Sequence, residues 1–163
     1  MSITFNVDEI FEMAEEIERN GAKFYREASK NAPDKETRKM LLDMAAMEDE
    51  HLKTFKEMRK GLGPQEKWQG VFDPDNEAVM YLQSMADSHG VEGKISPAVK
   101  LSGKEKIRDI FKIAVDAEKN SVVFYTGLKD FVPAQAGKDK IEAIIKEEMG
   151  HLAALNKALL TLK

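Results

Sequence analysis

The chain has 163 residues, 42% of them hydrophobic and 33% charged, with no cysteine and a formal net charge of −4. That length supports one domain with a sizeable core, the missing cysteine excludes disulfides and thiolate metal sites, and an acidic chain lacks the basic face that a nucleic-acid partner demands. No apolar run approaches the roughly 20 residues that cross a bilayer, and the opening MSITFNVDEIFEM has neither a basic region nor an apolar signal core, so the expectation is a cytoplasmic protein with no membrane partner.

Four long segments carry helical periodicity. The first covers about residues 7–30, where Ile10, Phe11, Ala14, Ile17, Gly21, Phe24, Tyr25 and Ala28 recur at three- and four-residue steps. Pro33 disfavours helix at Ala32 and ends it. The second covers about residues 34–60, with Met40, Leu41, Met44, Met47, His51, Phe55 and Met58 inward, and Gly61-Leu62-Gly63-Pro64 stops it. Residues 61–103 then form a crossover outside the helical pattern. Within it residues 75–86 predict a short helix, with Ala78, Val79, Leu82 and Met85 on one side. The third long helix follows Ser102, a predicted N-cap with Glu105 three residues on. It carries Ile107, Ile110, Phe111, Ala114, Glu118, Ser121, Val122 and Tyr125 before Phe131-Val132-Pro133 closes it. The fourth covers about residues 134–160, with Ile141, Ile144, Ile145, Glu148, His151, Leu152, Leu155 and Leu159 inward.

Short loops make each hairpin antiparallel, and the long connection lets the second hairpin start at the far end of a bundle. The expected fold is therefore all-α: a single domain over residues 1–163, built as a four-helix bundle from hairpins at about residues 7–60 and 104–161.

The two hairpins repeat each other. Glu18, Tyr25, Glu48 and His51 recur 100 residues later as Glu118, Tyr125, Glu148 and His151, and Ile10-Phe11, Ala14, Asn20, Phe24, Pro33 and Leu52 recur with them. Each half thus supplies one lone Glu and one Glu-x-x-His, whose two side chains lie one turn apart on a helix face. Together they make four carboxylates and two imidazoles, the ligand set of a two-iron site inside a four-helix bundle. Two ferrous ions would offset the four carboxylates, which is how a core can hold so much charge. Oxygen and nitrogen donors without sulfur suit iron or manganese, and zinc also binds such sites. A single Glu-x-x-His in a Glu-rich helix is commonplace. The weight here comes from two of them on apolar faces, in one register with two lone glutamates.

Tyr25 and Tyr125 fall seven residues after the lone glutamates, two turns along nearly the same face. They are the candidate catalytic supports, each phenol hydrogen-bonding a ligand carboxylate on a neighbouring helix. Glu15, whose repeat partner is Val115, is at most an accessory. Asp49, Glu50 and Glu147 are expected to point sideways or outward, His89 to be solvated in a loop, and the nine methionines to fill the core and the crossover packing.

The segments EIERNGAKFY, EDEHL, DAEKNSVVFY and EEMGHL resemble the diiron domain of rubrerythrins, within the ferritin-like superfamily. The resemblance covers all four long helices. It implies that Glu18 and Glu118 are terminal ligands, that Glu48 and Glu148 bridge two irons, and that His51 and His151 cap one iron each. It also implies a non-haem diiron oxidoreductase that reduces hydrogen peroxide or dioxygen, with iron handling or a metal-stabilised structural module as alternatives. Rubrerythrins carry an extra Glu one turn after the lone Glu of the third helix; here that position is Ser121, with Gly21 as its partner, which reads as a symmetric set of four Glu and two His. The four cysteines of a rubredoxin domain are absent, so the expected electron donor is a separate protein, rubredoxin-like or similar. Finally, Trp68, Val71, Phe72, Met80, Tyr81 and Leu82 give the crossover more apolar bulk than a solvated linker needs. The expectation is a homodimer with residues 75–86 near the contact, and a connection of this length also permits exchange of a hairpin between subunits.

Overall fold

The computed structural model describes residues 6–68, 101–132 and 137–162. The helix expected at residues 75–86, His89 and the crossover apolar residues from Val71 to Leu82 lie outside them. Helix α1 (Val7–Ser29) is opened by Asn6, whose side chain accepts from the Glu9 N–H at 2.9 Å while the Glu9 carboxylate accepts from the Asn6 N–H at 2.9 Å. This reciprocal cap satisfies two backbone donors that the helix leaves over. Helix α2 (Lys35–Gly61) is opened by Asp34, which accepts from the Thr37 N–H at 2.7 Å. A short helix the sequence did not announce, α3 (Pro64–Trp68), follows. The Gly-Leu-Gly-Pro stretch ends α2 as expected, but a proline is also at home in a first helical turn, where its missing N–H costs nothing. Helices α4 (Ile107–Phe131) and α5 (Lys138–Thr161) form the second hairpin.

Two helix starts differ from expectation. The Ser102–Glu105 signature does form: Glu105 accepts from the Ser102 N–H at 2.8 Å and the Ser102 hydroxyl at 2.7 Å. Gly103, however, takes a left-handed φ of 79°, so this is a tight turn ahead of α4 rather than its cap. The helix starts instead under the Lys106 carbonyl, which accepts from the Asp109 and Ile110 N–H groups at 2.8 and 3.1 Å. Likewise α5 begins at Lys138 and not near residue 134, because Gly137 sits at φ 104° and an α-helix cannot run through a left-handed residue.

Side-chain contacts fix the helix directions. Arg59 clasps Asp8 through two bonds of 3.0 and 2.7 Å, and Arg26 pairs with Asp49, so α1 and α2 are antiparallel. Arg108 donates to the Leu162 carbonyl, which makes α4 and α5 antiparallel. Tyr25 meets Glu118 and Tyr125 meets Glu18, so α1 and α4 are antiparallel as well. The order is therefore up, down, down, up: α4 starts at the end of the bundle opposite to the one where α2 stops, as a one-crossover bundle requires. Lys67 approaches Asp8 at 3.6 Å and ties α3 to the first turn of α1.

Two apolar layers result. One holds Ile10, Phe11, Ala14, Phe55, Phe124, Tyr125 and Ile141; the other holds Phe24, Tyr25, Leu41, Ile110, Phe111, Ala114 and Leu155. Because α1 and α4 run in opposite senses, equivalent residues of the repeat exchange layers: Ile10-Phe11 are in one, Ile110-Phe111 in the other. Met40 and Met47, expected inward, are only half-buried on α2. Phe55 is fully buried, its ring 6.3 Å from Phe11 and 5.0 Å from Tyr125. Phe55→Ala should therefore cost about 3–5 kcal/mol in a denaturant titration. No described helix is long and apolar enough to cross a membrane.

Candidate metal centre

Between the two apolar layers lies a buried polar layer. Glu18 comes from α1, Glu48 and His51 from α2, Glu118 from α4, and Glu148 and His151 from α5. None is more than 4% exposed. Their donor atoms fall into two overlapping groups, each within 4.8 Å: Glu18, Glu48, His51 and Glu148 in the first, Glu48, Glu118, Glu148 and His151 in the second. Glu48 and Glu148 belong to both. The remaining Glu and His on each side belong to one.

Both imidazoles turn Nδ1 inward. His51 Nδ1 lies 3.1 Å from Glu148 Oε1 and 3.5 Å from Glu18 Oε2. His151 Nδ1 lies 3.0 Å from Glu148 Oε2, 3.3 Å from Glu118 Oε1 and 3.4 Å from Glu48 Oε1. The phenols cross between hairpins: Tyr25 donates to Glu118 Oε1 and Tyr125 donates to Glu18 Oε1. Tyr125 thus holds Glu18 by Oε1 and leaves Oε2 facing His51, whereas Tyr25 holds Glu118 by the same Oε1 that faces His151.

So many charges in a dry layer perturb one another. Burial, then repulsion from Glu48, holds the Glu18 carboxyl well above its usual range. Burial and repulsion from Glu148 push Glu118 up to about 8. Burial alone would lower the imidazoles. The facing carboxylates outweigh it, Glu148 and Glu18 pushing His51 up to about 11, and Glu118, Glu148 and Glu48 pushing His151 up to about 12. For Glu148, burial and Glu48 act upward, but bonds from His151, His51 and Glu118 bring it below its usual range. Burial and the neighbouring carboxylates raise both phenols, so they stay protonated and remain donors. Tyr25→Phe leaves a buried carboxylate oxygen without its donor. It should cost the metal-free protein about 1–3 kcal/mol by urea denaturation, and Tyr125→Phe should cost a similar amount.

The neighbours of this layer sort differently. Glu15 is buried but belongs to an ion-pair cluster, 3.5 Å from Arg59 and 4.0 Å from Arg19. Asp49 pairs with Arg26, and Glu50 is exposed, 3.8 Å from Lys53. Glu147, expected to point sideways or outward, is half exposed, and its carboxylate reaches His51 Nε2 at 2.7 Å. A reading of helix faces missed this, because Glu147 lies on the seam between α2 and α5, at the rim of the centre. Beside Gly21 and Ser121 is a cavity of about 10 Å³, lined also by Tyr25, Glu48 and Glu118, room for about one water. A Cβ on Gly21 would sit 3.2 Å from Glu48 Oε2, so a larger residue there would press on that carboxylate.

A family model for rubrerythrin matches residues 9–159. The chain belongs to the rubrerythrin family. No curated protein matches its sequence. Its fold is similar to the crystal structure of a protein from Thermotoga maritima described as a ferritin-like diiron-carboxylate protein, with 21% identity, a TM-score of 0.75 and 99% of each chain covered. At that identity the likeness speaks for the fold alone: this rubrerythrin-family chain is an all-α, ferritin-like four-helix bundle.

The residues fit a metal pair on their own geometry. Among the described residues, three buried polar side-chain atoms have no hydrogen-bond partner: Glu18 Oε2, His51 Nδ1 and Glu148 Oε1. All three belong to the first group. Orphaned buried donors and acceptors are costly and call for an explanation; a shared cation at their meeting point supplies one.

Proposed function

We propose that this chain is a non-haem diiron oxidoreductase that reduces hydrogen peroxide or dioxygen with electrons from a separate donor protein. The observation that carries this reading is the convergence of four buried carboxylates and two inward Nδ1 atoms as two groups sharing Glu48 and Glu148. Glu48 and Glu148 would span the two metals. Glu18 and His51 would complete one position, Glu118 and His151 the other. A bound iron pair would supply two one-electron equivalents and a Lewis-acidic surface for an O–O bond. Peroxide reduction then balances as one hydrogen peroxide, two protons and two electrons giving two waters.

The chain's own part is positioning and exclusion. Tyr25 and Tyr125 hold Glu118 and Glu18 in place. The apolar layers on either side keep the carboxylates dry, and the small space beside Gly21 and Ser121 lies next to Glu48. The chain has no cysteine, which supports an external, rubredoxin-like donor. We further propose a cytoplasmic homodimer. All six candidate ligands converge within one chain, so a dimer need not exchange hairpins to complete the centre. Light scattering at tens of micromolar is expected to give twice the mass of one chain; a monomer refutes the dimer.

The test of function is anaerobic. Ferrous-loaded protein is titrated with hydrogen peroxide, and about one peroxide should oxidise each iron pair faster than the same iron free in solution. Oxidation no faster than for free iron overturns the reductase reading. Rapid oxidation followed by release of ferric ion supports iron handling instead.

A further inference from the structure

The repeat is symmetric at every candidate ligand and at both tyrosines, but it breaks at the residue just before each shared glutamate. That residue is Met47 in the first hairpin and Glu147 in the second. The structure places both on the same kind of target. Glu147 Oε2 lies 2.7 Å from His51 Nε2, and Met47 Sδ lies 3.4 Å from His151 Nε2. Each reaches across the seam between α2 and α5 to the outer nitrogen of the other hairpin's imidazole.

The two partners are chemically unequal. A carboxylate is a strong acceptor, so Glu147 fixes a proton on His51 Nε2, leaves Nδ1 as the nitrogen that a metal would take, and raises its donor strength. A thioether is a weak acceptor, so Met47 fixes the His151 ring less firmly. A second observation points the same way. All three orphaned buried atoms belong to the group of Glu18, His51 and Glu148. In the other group, His151 Nδ1 and Glu148 Oε2 are already bonded to each other at 3.0 Å. In the first group the matching pair, His51 Nδ1 and Glu148 Oε1, is in close contact at 3.1 Å but not in hydrogen-bond geometry, so a metal there displaces a weaker contact than the one it must break in the second.

Resting on the metal-centre reading above, we infer that Glu147 is a positioning residue that makes the two metal positions inequivalent: the position of Glu18 and His51 fills first and empties last, and the position of Glu118 and His151 is the exchangeable one. The energetic scale fits, since loss of such an outer partner costs about 10–100-fold in metal affinity.

The test is an anaerobic titration of the metal-free full chain with cobaltous ion, followed by calorimetry and by the ligand-field absorption of the bound ion. The wild type should bind two ions in two resolved steps separated by about tenfold or more. Glu147→Met, which gives both imidazoles a thioether, should weaken the first step and draw the two together, while Glu147→Gln should have a smaller effect in the same direction. Met47→Glu, which gives both a carboxylate, should tighten the second step toward the first. Glu147 is half exposed, so these variants should fold; circular dichroism checks it, and the Met47→Glu gain does not depend on any loss. Two ions bound to the wild type with equal constants, or a separation unchanged in both Glu147→Met and Met47→Glu, overturns the inference and leaves the metal centre standing. Fewer than two ions bound to the wild type overturns the metal-centre reading itself.

Discussion

Glu148→Ala is expected to empty both metal positions, whereas Glu118→Ala and His151→Ala each empty chiefly one. The difference follows from membership: Glu148 contributes to both donor groups, Glu118 and His151 only to the second. Protein reconstituted anaerobically with ferrous ion should carry about two irons per chain in the wild type, about one after either single-group substitution, and close to none after Glu148→Ala. The affinity losses should exceed the roughly 10–100-fold cost of removing an outer partner, because a donor to the metal itself is gone. Peroxide-dependent oxidation should disappear with the second metal in all three. Glu50→Ala is the control, next to His51 in the sequence. Its side chain is exposed, and occupancy should stay at the wild-type value. A Glu50→Ala protein as depleted as Glu118→Ala would mean the inward face of α2 is misassigned, and a Glu148→Ala protein that keeps two irons would remove the shared role.

Much of this arrangement is legible in the sequence because the repeat carries it. Glu18, Glu48 and His51 recur with their apolar flanks 100 residues on, and a solvated charge face has no reason to keep that register. Each helix face follows from its own periodicity, so the identity of the inward residues needs no tertiary knowledge. What periodicity does not carry is direction. That Ile10 and Ile110 lie in different apolar layers depends on α1 and α4 running antiparallel, which the crossover decides. Ser102 and Glu105 have the right spacing for a helix cap and make the right hydrogen bonds, but the left-handed turn at Gly103 puts them ahead of the helix, and only the backbone reveals it. Glu147 was missed for a related reason. A face drawn about a single helix axis stops short of this contact, because the His51 ring extends to the seam between two helices and meets a side chain from the far side. The signal is present as an asymmetric pair, Met47 and Glu147, directly before the shared glutamates of the repeat.

The metal-free protein is expected to grow less stable as the pH rises from about 5, and metal is expected to reverse this. The sign follows from which state holds more protons. Glu118 has an ordinary value of 4.5 and is pushed up to about 8 in the fold, so its favourable contribution is complete below about 4.5 and is lost as pH climbs through about 8. His51 and His151 start from 6.5 and are pushed up to about 11 and about 12; their contributions are complete below about 6.5 and fade through those higher values. Glu148, held below 4.5, acts oppositely, but its contribution is lost only as the pH falls below that value. Across pH 5 to 8 the folded, metal-free centre therefore binds more protons than the unfolded chain, and stability declines. A divalent metal takes the place of those protons, so it binds more tightly at pH 7 than at pH 5. Binding to the native state alone at about 100 times the dissociation constant adds about 2.7 kcal/mol per position, so two filled positions should raise Tm by on the order of 10–20 °C for a chain of this size. Melting curves in ferrous ion under argon should show a rise of that order at pH 7 and a clearly smaller one at pH 5. A melting temperature that ignores ferrous ion at both pH values would mean the four carboxylates and two imidazoles do not form a metal centre.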